Sequence, residues 1–269
     1  MDGTLAIIGT GRMGEALVAG LLRSSWVEPS QLICTGRRED HVARIAERYG
    51  VKGTVDNREA IQAADVVVLA VKPQTAHELL EEVGDAFRPG QTVISVIAGV
   101  TTAGIEAHLA DDIAVVRVMS NTPVQVDEAM SVVSPGAHAS GEDLALAEDV
   151  LGHVGKVLRL SENHLDAVTA LSGSGPAYFF LLAEAMIDAG ILLGLPRDVS
   201  TELIIQTMVG SAKMLRDSGR HPVELREMVT SPGGTTIAAI RQLEADGVRA
   251  AFLNAIEAAK LRSEQLAGG

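Results

Sequence analysis

Ser231-Pro232-Gly233-Gly234-Thr235-Thr236 interrupts a long helical region and then opens a further apolar helix. Two glycines let the backbone turn sharply and let a ligand come close. The amides that follow lie at a helix N-terminus, where unpaired N–H groups and the positive dipole end favour an anion. Thr235 and Thr236 add two hydroxyl donors. The pattern fits a socket for a small carboxylate or phosphate. Read alone, it fits an ordinary loop with an N-cap equally well.

A second glycine cluster stands at the other end of the chain. Leu5-Ala6-Ile7-Ile8 reads as a short buried strand and runs into Gly9-Thr10-Gly11-Arg12-Met13-Gly14, after which Glu15 to Arg23 has helical periodicity. This is G-x-G-x-x-G between a strand and a helix, the setting in which it binds a dinucleotide. Gly9 makes the turn, Gly11 admits the pyrophosphate, and Gly14 lets helix and strand pack closely.

Other residues gather at predicted strand ends. Gln31 to Thr35 ends in Gly36-Arg37-Arg38, with no carboxylate at the tip. An acidic residue there would select the ribose hydroxyls of NAD. The arginine pair favours the 2′-phosphate of NADP(H), with NAD(H) still admitted, although a solvated basic pair at a helix start has the same sequence. Ala70-Val71-Lys72-Pro73, Ser95 through Val100 and Arg117 through Pro123 close later strands. Ligands collect at the carboxyl ends of such strands. Lys72 reads as facing the nicotinamide end or as a surface lysine. Asn121 and Thr122 read as ligand hydrogen-bonders or as ordinary turn residues before Pro123.

The seven histidines include no pair at metal-ligand spacing, so no metal is expected. Gly173-Ser174-Gly175 precedes a proline-initiated helix rather than following a strand, which argues against a nucleophile elbow. The lack of a strong acid–base set fits hydride transfer, in which the cofactor carries the chemistry.

The elements that must position these residues fall into two parts. Strand and helix signals alternate through about residue 162, with helices over Asp40 to Tyr49, Thr75 to Phe87 and Gly141 to Val154. Short apolar strands lie at Val66 to Val71, Thr92 to Ile97 and Ala114 to Met119, with late ones at Met130 to Val133 and Val157 to Leu160. The pattern predicts an α/β Rossmann-like domain with a mostly parallel sheet over residues 1–162. An all-α domain follows over residues 163–269, with Pro176, Pro196 and Pro222 in first helical turns. The segment around Phe179-Phe180-Leu181-Leu182 is apolar on most sides. It has to be buried from several directions, and a homodimer through this domain, or a higher oligomer, supplies that burial.

Composition bounds the function. There are 22 basic against 35 acidic residues, a net charge of −13, which argues against a nucleic-acid partner. Cys34 is the only cysteine, which excludes an intrachain disulfide and fits a reducing compartment. It reads as a small buried residue. No signal peptide or membrane span is recognised, so a cytoplasmic protein without a membrane partner is expected.

Over essentially the whole chain these segments resemble pyrroline-5-carboxylate reductase. The carriers are Ile7 to Gly14, Ala70 to Pro73, Ala170 to Tyr178 and, most specifically, Val229 to Ile240 followed by Leu243-Glu244. The resemblance implies reduction of L-1-pyrroline-5-carboxylate to L-proline by NAD(P)H, with the helical domain dimerising. By position, Ser231, Gly234, Thr235 and Thr236 would hold the substrate carboxylate, and the Thr236 hydroxyl would orient the ring nitrogen as the catalytic contact. Asn57 would lie near the adenosine ribose, and Ala98 and Pro123 beside the nicotinamide. Two departures stand out: Ser120 where the family commonly has proline, implying a looser loop, and Gly219 where some relatives have glutamate. Another imine or 2-hydroxy-acid reductase, or a non-catalytic dinucleotide sensor, is the alternative.

Overall fold

The structure is a computed structural model that describes residues 3–110 and 112–267. By internal contacts the chain forms two compact units, one of residues 1–174 with 259–269 and one of residues 175–258.

In the first unit, β1 (Leu5–Ile8), α1 (Arg12–Arg23), β2 (Leu32–Thr35), α2 (Glu39–Tyr49), β3 (Lys52–Thr54), α3 (Asn57–Ala63) and β4 (Val66–Leu69) come first. They are followed by α4 (Ala76–Val83), β5 (Thr92–Ser95), α5 (Thr102–Glu106), β6 (Ala114–Met119), β7 (Ala129–Pro135), α6 (Gly141–Gly152), β8 (Gly155–Arg159) and α7 (Leu165–Val168). The strands make one sheet in the order β3-β2-β1-β4-β5-β6-β7-β8. Every pairing is parallel except β6 with β7. Chain order reverses on either side of β1, between β2 and β4, and this switch point opens a crevice at the carboxyl edge.

Alternation along β1 divides the core. Leu5 and Ile7 join Leu17 and Leu21 of α1 and Val150 and Leu151 of α6 on one face. Ala6 and Ile8 join Ile61 of α3 and Leu80 and Val83 of α4 on the other. A strand covered on both faces must be apolar at every position, which is why β1, β4 and most of β2 carry no sequence alternation.

The first unit continues past the break at 162 that the loss of strand signal suggests. Leu165 and Ala170 are buried. Glu162 accepts the Thr102 N–H at 2.8 Å, the Thr102 hydroxyl at 2.7 Å and Arg117 Nη1 at 2.9 Å. This packing fixes the start of the helical region against the sheet. A π-turn over Thr169–Gly173 follows α7.

The second unit holds α8 (Gly175–Leu192), α9 (Arg197–Asp217), α10 (Pro222–Met228), α11 (Thr235–Ala245) and the first half of α12 (Val248–Ala267). Pro222 opens α10 at its first position, whereas Pro196 sits one step earlier, as the N-cap of α9. Gly219 follows the end of α9 with φ +65°, a left-handed conformation in which a glutamate would be strained. Phe179, Phe180 and Leu181 on α8 are 61%, 69% and 67% exposed in the single chain.

Candidate active site

Gly9 leaves β1 at φ +96°, a region that L side chains rarely adopt. Its N–H donates to Thr35 Oγ1 at 3.2 Å. The Thr10 N–H and hydroxyl both donate to the Thr35 carbonyl, each at 2.9 Å. The turn is thus bolted to the end of β2. Gly11 has open space where a side chain would begin, whereas a Cβ on Gly14 would collide with the Gly9 carbonyl. These are the two demands of the dinucleotide turn: room for a ligand at the second glycine and close helix–strand packing at the third.

An open cavity of ≈ 710 Å³ lies over this turn. Gly9, Thr10, Gly11, Arg37, Arg38, Asn57, Ala70, Val71 and Lys72 line it, so most residues assigned to the cofactor from sequence meet here. Thr35, Gly36, His41, Val55, Thr75, Glu78, Leu79 and Glu82 line it as well. Sequence reasoning missed this second group because it comes from β2, α2, α4 and the connecting loops, which only the fold brings together. The one available signal was a hydroxyl, Thr35, ending a strand next to the glycine turn.

Polar contacts order the cavity. The Thr35 hydroxyl donates to Asn57 Oδ1 at 2.7 Å. His41 Nε2 lies 2.7 Å from the Thr10 carbonyl, and Arg44 Nη2 lies 3.0 Å from its Nδ1. A carbonyl can only accept and a guanidinium can only donate, so His41 carries its proton on Nε2. Arg38 pairs with Asp40 at 3.3 Å in solvent, and Arg37 is exposed.

Several sequence-assigned residues lie elsewhere. Arg12 is exposed and outside the cavity lining, and Met13 packs against the core. Each helical residue turns the side chain by about 100°, so neighbours of a cavity-facing residue face away. Pro73, Ala98, Gly99 and Pro123 are also outside the lining. Gly99 adopts φ +75° and Pro123 lies in the short turn Thr122–Val126. Asn121 is likewise outside, and its carboxamide is already engaged: Nδ2 donates to the Ser172 carbonyl at 3.0 Å and Oδ1 accepts the Met130 N–H at 2.9 Å. Ser120 is held by the Ser131 hydroxyl at 2.9 Å, so the strand end is tied rather than loose.

In the second unit, Gly233 has φ +69°, and the Gly234 N–H donates to the Ser231 carbonyl at 3.1 Å. Gly234 is the N-cap of α11 and offers no side-chain cap. The first amides of α11, at Thr235 and Thr236, therefore stand at an uncapped helix start. Ser231 and Thr235 are exposed and Thr236 is half-buried.

Cys34 is buried on β2, and burial pushes its thiol up to about 12. A thiol in that state is not a nucleophile. Among the described residues no His, Cys, Asp and Glu cluster could hold a metal.

Residues 162–266 match the family described as pyrroline-5-carboxylate reductase dimerisation, and residues 4–99 match NADP oxidoreductase coenzyme F420-dependent. A pyrroline-5-carboxylate reductase of Corynebacterium melassecola is 44% identical over 266 residues, covering 98% of each chain. The chain belongs to the pyrroline-5-carboxylate reductase family. A solved pyrroline-5-carboxylate reductase from Coxiella burnetii is 38% identical with a TM-score of 0.93, covering 99% of both chains. A Plasmodium falciparum pyrroline carboxylate reductase solved with NADP bound is 28% identical with a TM-score of 0.89, covering 99% of this chain and 98% of that one. The fold of the family, a Rossmann-like sheet followed by helices, is the fold seen here.

Proposed function

We infer that the chain reduces L-1-pyrroline-5-carboxylate to L-proline with NAD(P)H, NADPH being preferred. The observation that carries this reading is the pairing, in one chain of this family, of an intact glycine cradle with an uncapped helix start at Thr235. Gly11 leaves room for a pyrophosphate, and the Arg37-Arg38 pair on the cavity rim suits a 2′-phosphate. The bound nicotinamide supplies the hydride. Ser231, Gly234, Thr235 and Thr236 hold the substrate carboxylate, chiefly through amides at the start of α11. The Thr236 hydroxyl accepts from or donates to the ring nitrogen, orienting the imine and passing a proton from water. Orientation of this kind is worth roughly 7–11 kcal/mol of barrier.

Residues 1–162 act as the cofactor domain and residues 163–269 as the dimerisation and substrate domain. The dimerisation match over 162–266 and the exposed Phe179, Phe180 and Leu181 support a homodimer or a higher oligomer built on it. The helical run Glu162–Leu192 is long and apolar enough, by length and composition, to cross a membrane. A protein interface accounts for the same apolar surface, and we place the enzyme in the cytoplasm with a small-molecule substrate and its own copies as partners, and neither nucleic acid nor membrane.

The test follows NADPH and NADH absorbance with the purified protein and L-1-pyrroline-5-carboxylate, with proline identified as product. Oxidation with pyrroline-2-carboxylate or a 2-hydroxy-acid couple alone would sink the reading. Binding of NADPH without turnover on any of them would make the chain a sensor.

A further inference from the structure

We propose that Asn121 is a positioning residue, the clamp that fixes the π-turn Thr169–Gly173 to the carboxyl edge of the sheet, and not a ligand of the cofactor. The proposal rests on the reductase reading for its catalytic consequence, but its structural half stands separately.

Asn121 follows β6, whose carboxyl end lies on the same edge as the ends of β1, β4 and β5. Its side chain spends both ends on protein. Nδ2 donates to the Ser172 carbonyl, 51 residues away, and Oδ1 accepts the Met130 N–H at the start of β7. The two bonds tie three segments at one point. A second contact lies beside the first: a Cβ on Gly173 would run into Met119 Cε, so the π-turn lies directly on the last residue of β6.

The Ser172 carbonyl needs such a donor. In a regular helix it would receive the N–H of residue 176, but residue 176 is proline and has none. The backbone responds by widening: the Ser174 N–H reaches back five residues to the Thr169 carbonyl at 2.8 Å. Turns of this kind are rare and concentrate at functional sites. Here Asn121 supplies the donor that Pro176 lacks. The π-turn in turn leads into α8, the first long helix of the dimerisation match. One side chain therefore ties the carboxyl edge of the sheet to the turn that precedes α8.

Asn121→Asp keeps an oxygen for the Met130 N–H but replaces the donor with a charged oxygen that repels the Ser172 carbonyl. Asn121→Ala serves as the second variant. Each is compared with the full-length wild type in four measurements: thermal midpoint, NADPH affinity by fluorescence, steady-state kinetics with 4-deuterated NADPH, and hydrogen exchange over residues 169–174. We expect NADPH affinity within about twofold of wild type, kcat lower by about tenfold or more, and a larger isotope effect on kcat. Exchange over 169–174 rises about tenfold while β1 and β4 stay protected. NADPH affinity falling in step with kcat would make Asn121 a ligand and overturn the proposal. Unchanged exchange over 169–174 would overturn it too. A wild type that binds NADPH but leaves pyrroline-5-carboxylate untouched removes the reductase reading and the catalytic half with it, while exchange still decides the clamp.

Discussion

Thr35 orients Asn57. Its hydroxyl takes the Gly9 N–H at 3.2 Å and donates its own proton to Asn57 Oδ1 at 2.7 Å, which leaves the Asn57 Nδ2 as the end offered to a ligand. A single hydroxyl thus sets both the glycine turn and the amide beside it. Thr35→Val keeps the shape and removes both bonds. We expect a stability loss of about 1 kcal/mol and a NADPH Kd raised about tenfold, about 1.4 kcal/mol. Calorimetric titration checks it, and an unchanged Kd would show that Asn57 needs no support.

Gly11 and Gly14 make opposite demands although they belong to one motif. Gly14→Ala drives a methyl into the Gly9 carbonyl and costs about 2–3 kcal/mol of stability, because backbone cannot yield as a side chain can. Gly11→Ala meets nothing in the protein and leaves the thermal midpoint close to wild type, yet its methyl enters the open space that a bound pyrophosphate would need. Melting curves with and without NADPH separate the two. Ligand-induced stabilisation vanishes in the Gly11 variant.

Arg37 and Arg38 stand on the rim of the cavity with no carboxylate at the tip of β2. Replacing both by alanine is expected to raise KM for NADPH by about tenfold or more and to leave KM for NADH within about twofold, since only NADPH carries the extra phosphate. The ratio of the two kcat/KM values is the readout. Parallel losses would mean that the pair does not read the phosphate.

Thr236 sits in the first turn of α11. Thr236→Ala is expected to lower kcat by about 100-fold or more while NADPH affinity holds, since proton-handling groups usually contribute roughly 10²- to 10⁴-fold. Thr236→Ser recovers most of it. Equal loss of turnover and NADPH affinity would remove the assigned role.

Glu162 gives a pH dependence. Burial pushes its carboxyl up, but the hydrogen bonds from Arg117 and from the Thr102 amide and hydroxyl, with the Arg117 charge, outweigh burial and hold it below the ordinary 4.5. A depressed folded pKa stabilises the protein above the unfolded value, and the gain is lost as pH falls through the folded one. Glu162→Gln is expected to cost about 2 kcal/mol at pH 7. That is less than the 3–5 of a fully buried pair, because Glu162 is 26% exposed while Arg117 is 9%. The cost shrinks below about pH 4, as the wild-type carboxyl protonates. Denaturant midpoints of both proteins across pH 3 to 7 would converge at the acid end.

Local features of the fold were legible in the sequence. The strand, turn and helix from Leu5 to Arg23 read correctly because buried parallel strands are unbroken apolar runs and the glycines have a spacing of their own. β3 did not, since Lys52-Gly53-Thr54 is short, polar and partly exposed at the sheet edge, with nothing periodic to see. The same limit governs the cavity. Gly9 and Lys72 belong to recognisable segments, whereas Thr35, His41 and Glu78 acquire their place only when β2, α2 and α4 meet at one edge. Asn121 was visible as a polar residue at a strand end, but its partner lies 51 residues on, and no local pattern shows that its amide is spoken for.

The last turns of α12 rejoin the first compact unit, where the Ser263 hydroxyl donates to Asp166 at 2.6 Å. Residues 175–258 are therefore an excursion whose two ends are both anchored in the body they leave. During synthesis the sheet can form early, but its unit is not complete until the final helix has left the ribosome. A chain cut short after residue 258 would lose part of the first compact unit, not merely a tail.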